Sequence, residues 1–399
     1  MRVEQSGLRS RPQAETPLSE RFLGDSQRLR PHAVQRGELR LGSTREFVQR
    51  SVPGREERTC CRASRSFGKV VDRLATLFCS VSHGQTIIGA GTLGAVSNIE
   101  QGSNTNQRRV LLTGGNTGIG YYTALELVKQ GDHVTLACRN LDKANAAAAK
   151  IAAEAPEGTV DTAHLDLADL ASVREFAESA PARVDVLINN AGVMMPAKRT
   201  ETKDGFELQF GTNHLGHFAL TGHLLPNLRA AGNATVVTVS SVAHKQGPKL
   251  DFDDLQATRG YQPQRMYANS KLANLLFALE LQRRLDKAGI PITSNAAHPG
   301  ISETALYTSP DGLGSSKIAS LGASIGLKFI SQSAKAGALP TLYALESGGP
   351  GSYSGPKSLF ESRGAPGPAK ISAKAQSSAL AEKLWEASER LTGITYDLS

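Results

Sequence analysis

Hydrophobic positions fall into two regimes along this chain. Through residues 1–95 the apolar runs are short and weakly periodic. Arg, Ser, Gly and Gln dominate there, and only 70–81 has the pattern for a helix of any length. From Arg109 onward, short apolar runs alternate with stretches of helical spacing. Val110-Leu111-Leu112 suits a fully buried strand, and similar runs predict strands at 110–113, 133–137, 159–165, 184–189, 235–240 and 292–297. Helical patterns separate them: an alanine-rich stretch at 142–154, another at 170–179, and a long one from Tyr267 through Leu285. A Gly/Pro-rich loop is expected at 348–367. A closing helix at 373–392 follows, with Leu380, Leu384, Trp385 and Leu391 as its apolar positions. Strands alternating with helices imply βαβ units and a parallel sheet. Right-handed crossovers make this an α/β, doubly wound (Rossmann) fold, with ligands at the carboxyl ends of the strands. No internal repeat or second core of comparable length interrupts the pattern, so residues 107–399 read as one domain.

The first strand leads into Thr113-Gly114-Gly115-Asn116-Thr117-Gly118-Ile119-Gly120, and Ala124, Leu125 and Val128 then recur at helical spacing. Strand, glycine turn and helix in that order aim backbone N–H groups and a helix N-terminus at an anion. Glycine lets a pyrophosphate approach the backbone where a Cβ would block it. The plain alternative is an ordinary tight turn. A second pattern, Gly89-Ala90-Gly91-Thr92-Leu93-Gly94, has no amphipathic helix after it and is weak as a phosphate site.

Strand ends carry the next candidates. After the second strand comes Cys138-Arg139-Asn140. In a dinucleotide fold an acid there suits the ribose 2′-hydroxyl of NAD, whereas an arginine suits the 2′-phosphate of NADP. Arg139 therefore favours NADP over NAD; the alternative is a solvated loop arginine. Asp166-Leu167 follows the third strand, where Asp166 could accept from an adenine amino group or cap the helix beginning near Leu170. Asn189-Asn190-Ala191-Gly192 ends the fourth strand, with small residues and amides that let a cofactor pass and brace the sheet. Asn213 sits in a helical stretch, where asparagine is a poor choice, so it caps or has a task. His214, His217 and His223 lack a carboxylate or cysteine at ligand spacing, so no metal is expected.

The clearest chemistry lies between Val236 and Lys271. A buried strand ends in Ser240-Ser241, and Tyr267-Ala268-Asn269-Ser270-Lys271 opens a long helix. Tyr267 and Lys271, at i and i+4, share a helix face. An ammonium beside a phenol favours the phenolate, lowering its pKa from about 10 toward neutrality. Tyrosine then becomes a usable general acid or base. A serine at the strand end can hold the reacting oxygen beside it.

Charge changes the picture for the first 95 residues. They hold 16 Lys and Arg against 9 Asp and Glu, +7 of the chain's +8, so residues 96–399 carry only +1 and show no nucleic-acid footprint. Nine acids argue against a transit peptide. Residues 1–106 are expected to be a disordered or non-native extension, with Val96-Ser97-Asn98-Ile99 as a plausible start. A chain beginning at Val96 is expected to keep its fold and melting temperature. Cys60, Cys61 and Cys79 lie in this extension and only Cys138 beyond it, which is no disulfide framework and no zinc site. No stretch approaches 18 uninterrupted apolar residues, so no transmembrane segment is read and a cytoplasmic location is expected.

These motifs together resemble the short-chain dehydrogenase/reductase family over about 110–398. The likeness rests on 113–120, Asn189-Asn190-Ala191-Gly192, Asn213, Ser241, Tyr267, Lys271, and His298-Pro299-Gly300 with Thr304 beyond. Cys138-Arg139-Asn140, Asn213-His214-Leu215-Gly216-His217-Phe218, Ser240-Ser241-Val242-Ala243-His244 and Ser270-Lys271-Leu272-Ala273-Asn274 are most similar to its retinol-dehydrogenase-like and protochlorophyllide-reductase-like subgroup. Ser241 and Tyr267 are 26 positions apart, more than in many members, though an insert at 250–261 is usual in this subgroup. The resemblance implies a metal-free, NADP-dependent carbonyl reductase or alcohol dehydrogenase acting on a small, moderately lipophilic substrate. Gly114, Asn116, Thr117, Gly118, Ile119, Gly120, Arg139, Asp166, Leu167, Asn190, Pro299, Gly300 and Thr304 would hold the cofactor. Tyr267 would transfer the proton and Ser241 bind the same oxygen. Lys271 would tune the phenol and bind the nicotinamide ribose, and Asn213 would hold a relay water. The Ser/Gly-rich stretch 301–330 would form an apolar lid that sets substrate choice. A homodimer or homotetramer through the helices of Asn213 and Tyr267 is also implied. The rival reading is a catalytically silent nucleotide-binding sensor or interaction protein on the same fold.

Overall fold

The computed structural model describes residues 107–247, 250–301 and 331–399. The extension with its second glycine pattern, Thr304, and the expected lid beyond Ile301 lie outside the described residues.

Among the described residues an eight-stranded sheet has the order β3-β2-β1-β4-β5-β6-β7-β8. The strands are β1 Arg109–Thr113, β2 His133–Cys138, β3 Thr159–His164, β4 Val186–Asn189, β5 Thr235–Val239, β6 Thr293–Ala297, β7 Tyr353–Ser358 and β8 Arg363–Pro368. All pairings are parallel except β7 with β8. The helices are α1 Gly118–Lys129, α2 Leu141–Glu154, α3 Leu170–Ser179, α4 Leu208–Phe210, α5 Gly216–His223, α6 Leu225–Ala230, α7 Pro263–Ala288, α8 Ala334–Glu346 and α9 Ser378–Thr392.

Alternation along β1 shows why both faces of the sheet are covered. Val110 and Leu112 pack with Leu125, Val128 and Ile151 of α1 and α2. Leu111, between them, points the other way into a core with Phe218, Phe277 and Trp385. A strand buried on both faces needs a continuous apolar run, which is what 110–112 supplies. The order reverses at β1, with β2 on one side and β4 on the other, so a crevice opens between the carboxyl ends of β1 and β4.

The expected loop at 348–367 is largely a hairpin, β7 and β8. Glycine and proline hid it. Pro356 pairs with Pro366 at the sheet edge, beside a register shift between Pro356 and Ser358. Edge positions and irregular registers are where strands tolerate proline. Two helices also differ at their starts. α7 begins at Pro263, before Tyr267, because proline at a first helical turn loses no intrahelical bond. α9 begins at Ser378 rather than 373, with the Ser377 hydroxyl accepting from the Leu380 amide.

Candidate functional site

The glycine turn is built by close backbone approach. Gly114 has φ +70, and a Cβ on it would lie 2.9 Å from the Ala191 Cβ. A Cβ on Gly120 would lie 2.3 Å from the Gly114 carbonyl oxygen and 2.7 Å from Asn190 Nδ2. Asn190 ties this turn to β4: its Nδ2 donates to the Thr113 carbonyl at 2.8 Å. The Thr113 hydroxyl accepts from the amides of Asn190 and Ala191 at 2.9 and 3.0 Å. Helix α1 then starts at Gly118 with no side-chain cap from Thr117 and no acid in its first turn. Its first N–H groups and positive dipole end remain available to an anion. The cradle that a Cβ would fill, and the uncapped helix, fit a dinucleotide pyrophosphate.

Beyond the turn, the expected cofactor residues rim the carboxyl ends. Arg139 is exposed after β2, and the adjacent Asn140 caps α2 through the Lys143 amide. Asp166 accepts from the Ala168 amide at 3.0 Å, while Asp169 performs the capping of α3. Asp166 is therefore not that helix's cap. Leu167 is buried, and its carbonyl abuts Gly216, where a Cβ would come within 2.4 Å. Asn189 is fully buried and donates to Thr221 Oγ1 at 3.0 Å, bracing β4 against α5. Gly300 has φ +67 and lies against the Ser362 carbonyl, and Gln332 holds the Pro299 carbonyl at 2.8 Å.

Asn213 stands in a π-helical segment, Gly211–Leu215, which explains a helix-disfavouring residue there. Its Oδ1 accepts from the Val193 amide at 2.7 Å, and its Nδ2 donates to the Val193 carbonyl at 2.9 Å and Ser270 Oγ at 3.0 Å. The carboxamide thus straps the loop after β4 to α7. His214 and His217 are buried, and desolvation pushes them down to about 3 and about 4. Among the described residues no His, Cys, Asp and Glu group is arranged for a metal.

Tyr267, Lys271 and Ser241 come together at the end of β5. Lys271 is 4% exposed; its Nζ donates to the Val239 carbonyl at 3.1 Å and stands 5.9 Å from the centre of the Tyr267 ring. Burial pushes this ammonium down to about 8. The loop after β4 closes over it: a Cβ on Gly192 would be 3.6 Å from Lys271 Nζ and 3.0 Å from Asn213 Oδ1. Ser240 Oγ donates to the Lys271 carbonyl at 2.7 Å, fixing α7 to the strand. Ser241 opens a short 3-10 turn, Val242–Lys245, and its Oγ accepts from the Ala243 amide at 3.2 Å. The hydroxyl retains its own proton as a hydrogen-bond donor. Met194, Ala243 and Ala268 pack around Tyr267 and give the phenol an apolar surround. Thr304 apart, the expected residues all lie toward the carboxyl side of the sheet. Two further buried groups beside Ser241, His244 and Tyr353, received no role from sequence, because Tyr353 lay in a stretch without strand character.

The profile of the short chain dehydrogenase family matches residues 108–311, and the chain belongs to that family. It is 50% identical to human retinol dehydrogenase 13 over 203 residues, covering 50% of this chain and 60% of that one. It is 44% identical to human polyprenol dehydrogenase over 207 residues, covering 50% of this chain and 62% of that one. These relatives bear out the likeness to the retinol-dehydrogenase-like subgroup. The alignments span about three fifths of their length. A crystal structure of an uncharacterised protein from Mycobacterium paratuberculosis is similar at 43% identity and a TM-score of 0.61, over 73% of this chain and 95% of that one.

Proposed function

We propose that this chain is an NADP(H)-dependent oxidoreductase interconverting an alcohol and its carbonyl compound on a moderately lipophilic substrate. One observation carries the reading: a buried tyrosine and lysine one helical turn apart, beside a serine at the carboxyl end of β5, two strands from the glycine turn at the carboxyl end of β1. A sensor that only bound nucleotide would have no use for the proton-transfer set. A bound nicotinamide supplies or receives the hydride. In reduction, Tyr267 gives its proton to the substrate oxygen while Ser241 donates a hydrogen bond to the same atom; in oxidation Tyr267 takes the proton back. Lys271, whose ammonium burial pushes down to about 8, favours the phenolate and would bind the ribose hydroxyls. The exposed Arg139 at the end of β2 supports NADP over NAD. The names of the relatives, a retinol and a polyprenol dehydrogenase, support a lipophilic alcohol or its carbonyl partner as substrate.

The test is turnover of NADPH with a panel of aldehydes and ketones, and of NADP with the matching alcohols, read at 340 nm. Turnover that disappears in Tyr267→Phe supports the reading. Cofactor binding by thermal shift without turnover of any substrate would favour the silent nucleotide-binding protein instead.

A further inference from the structure

Directly behind Ser241 lies a buried polar group that the proposed chemistry does not use. The Ser241 carbonyl receives two hydrogen bonds from one residue: the His244 amide at 3.1 Å and the His244 ring Nδ1 at 2.7 Å. A carbonyl only accepts, so Nδ1 carries the imidazole proton. His244 Nε2 is buried without a hydrogen-bond partner among the described residues, so the ring is held by its other nitrogen alone. The Tyr353 hydroxyl, on β7, lies 3.5 Å from the same carbonyl and 3.3 Å from His244 Nδ1. Tyr353 therefore touches both the Ser241 carbonyl and the imidazole that holds it.

The ring of Tyr353 is itself fixed from two sides. His244 meets it edge-on at 5.4 Å between centroids, and His298 packs at 5.1 Å. His298 in turn accepts the Gly300 amide on Nδ1 at 3.2 Å, at the loop after β6. A Cβ on Gly355 would collide with the His298 ring, so β7 is seated tightly on it. His244 and His298 are fully buried and Tyr353 is 3% exposed. Buried polar groups this closely linked make one alignment far better than its neighbours.

We propose that Tyr353 and His244 are positioning residues: together they lock the Ser241 carbonyl, and so aim the Ser241 hydroxyl at the reacting oxygen. This rests on the role given to Ser241 above. With the peptide after Ser241 clamped, Oγ keeps the Ala243 amide as its donor and offers its own proton outward. Misdirecting that hydroxyl affects the transition state more than the bound cofactor, because the cofactor cradle is built from other residues.

The experiment compares Tyr353→Phe, His244→Leu and His244→Asn with the wild-type full chain. In Tyr353→Phe and His244→Leu, kcat should fall about tenfold with NADP(H) affinity changed less than about twofold, the size expected from misplacing one hydrogen bond. Asparagine can place an N–H where Nδ1 stands, so His244→Asn should recover most of the loss. Amide exchange at 242–245 should accelerate in the first two variants, and imidazole nitrogen NMR should find His244 as the Nδ1–H tautomer. Unchanged kcat and exchange in Tyr353→Phe and His244→Leu would overturn the proposal. So would a loss that asparagine does not restore, or an Nε2–H tautomer. A wild-type chain that reduces no carbonyl defeats the reading of Ser241, while exchange and tautomer still decide whether the clamp exists.

Discussion

A phenol works as an acid or base near neutral pH only when its surroundings favour the anion, and the Lys271 ammonium lies 5.9 Å from the Tyr267 ring centre. Lys271 is held there by the Val239 carbonyl, and burial weakens its own charged form while leaving it largely protonated at pH 7. Tyr267→Phe keeps the ring packed among Met194, Ala243 and Ala268 and removes only the proton donor. Turnover is expected to fall by about a hundredfold or more, the usual worth of a positioned general acid. Cofactor affinity by titration should stay within a factor of two or three. Near wild-type rates would sink the proton-transfer role. Arg139 invites a second substitution. Arg139→Asp removes a cation suited to a 2′-phosphate and adds an acid suited to a 2′-hydroxyl. A charged hydrogen bond is worth roughly 1.5–3 kcal/mol, so the NADP to NAD preference in kcat/KM should drop at least about tenfold. An unaltered ratio would remove Arg139 from the cofactor site.

Elements explain which parts of the molecule could be read in advance. Val110-Leu111-Leu112 and Val236-Val237 announced buried strands, because a strand covered on both faces has no polar positions to blur it. The glycine turn was legible because its spacing is set by steric contacts that only glycine permits. Tyr267 and Lys271 were legible because helical spacing alone puts them on one face. By contrast, β7 and β8 were hidden, since an edge hairpin carrying Pro356 and Pro366 matches the composition of a loop. With β7 hidden, Tyr353 and its contacts to His244 and Ser241 could not be inferred. The π-helical segment at Asn213 was flagged only as a misfit residue, because the side-chain bonds that occupy Asn213 run to Val193 and Ser270, distant in sequence. Gly120→Ala tests the turn at this scale. The added methyl would meet the Gly114 carbonyl, a backbone atom that cannot rotate away. A loss of about 1–3 kcal/mol in urea unfolding is expected, together with loss of NADP(H) binding as the turn opens. A variant as stable as wild type with intact cofactor binding would show that α1 does not need this contact.

For the whole molecule, the buried ammonium has a thermodynamic consequence that can be measured without substrate. Lys271 titrates at about 8 in the folded chain against 10.5 as an ordinary lysine. Below about 8 both states carry the charge, and the folded state bears the full desolvation penalty. Between those values the unfolded state binds the extra proton, so stability rises with pH. Above 10.5 the penalty is gone. The gap in pKa corresponds to about 3 kcal/mol at most. Lys271→Met isolates the effect, since the Val239 carbonyl keeps Asn274 Nδ2 as a donor at 3.1 Å and is not orphaned. In the cofactor-free protein, Lys271→Met should be the more stable chain at pH 7, and its advantage in urea unfolding should shrink steadily toward pH 10. Comparing the two chains cancels the contribution of groups that Lys271 does not influence, such as Tyr261, which burial raises to about 12, whereas Tyr267, whose phenolate Lys271 favours, adds a change of the same sign. The same variant should lose turnover and bind NADP(H) poorly, so the residue that costs stability would be the one the proposed chemistry requires. A stability difference independent of pH would mean that Lys271 reaches water in the folded chain, and its influence on Tyr267 would then be too weak to bring the phenol into a working range.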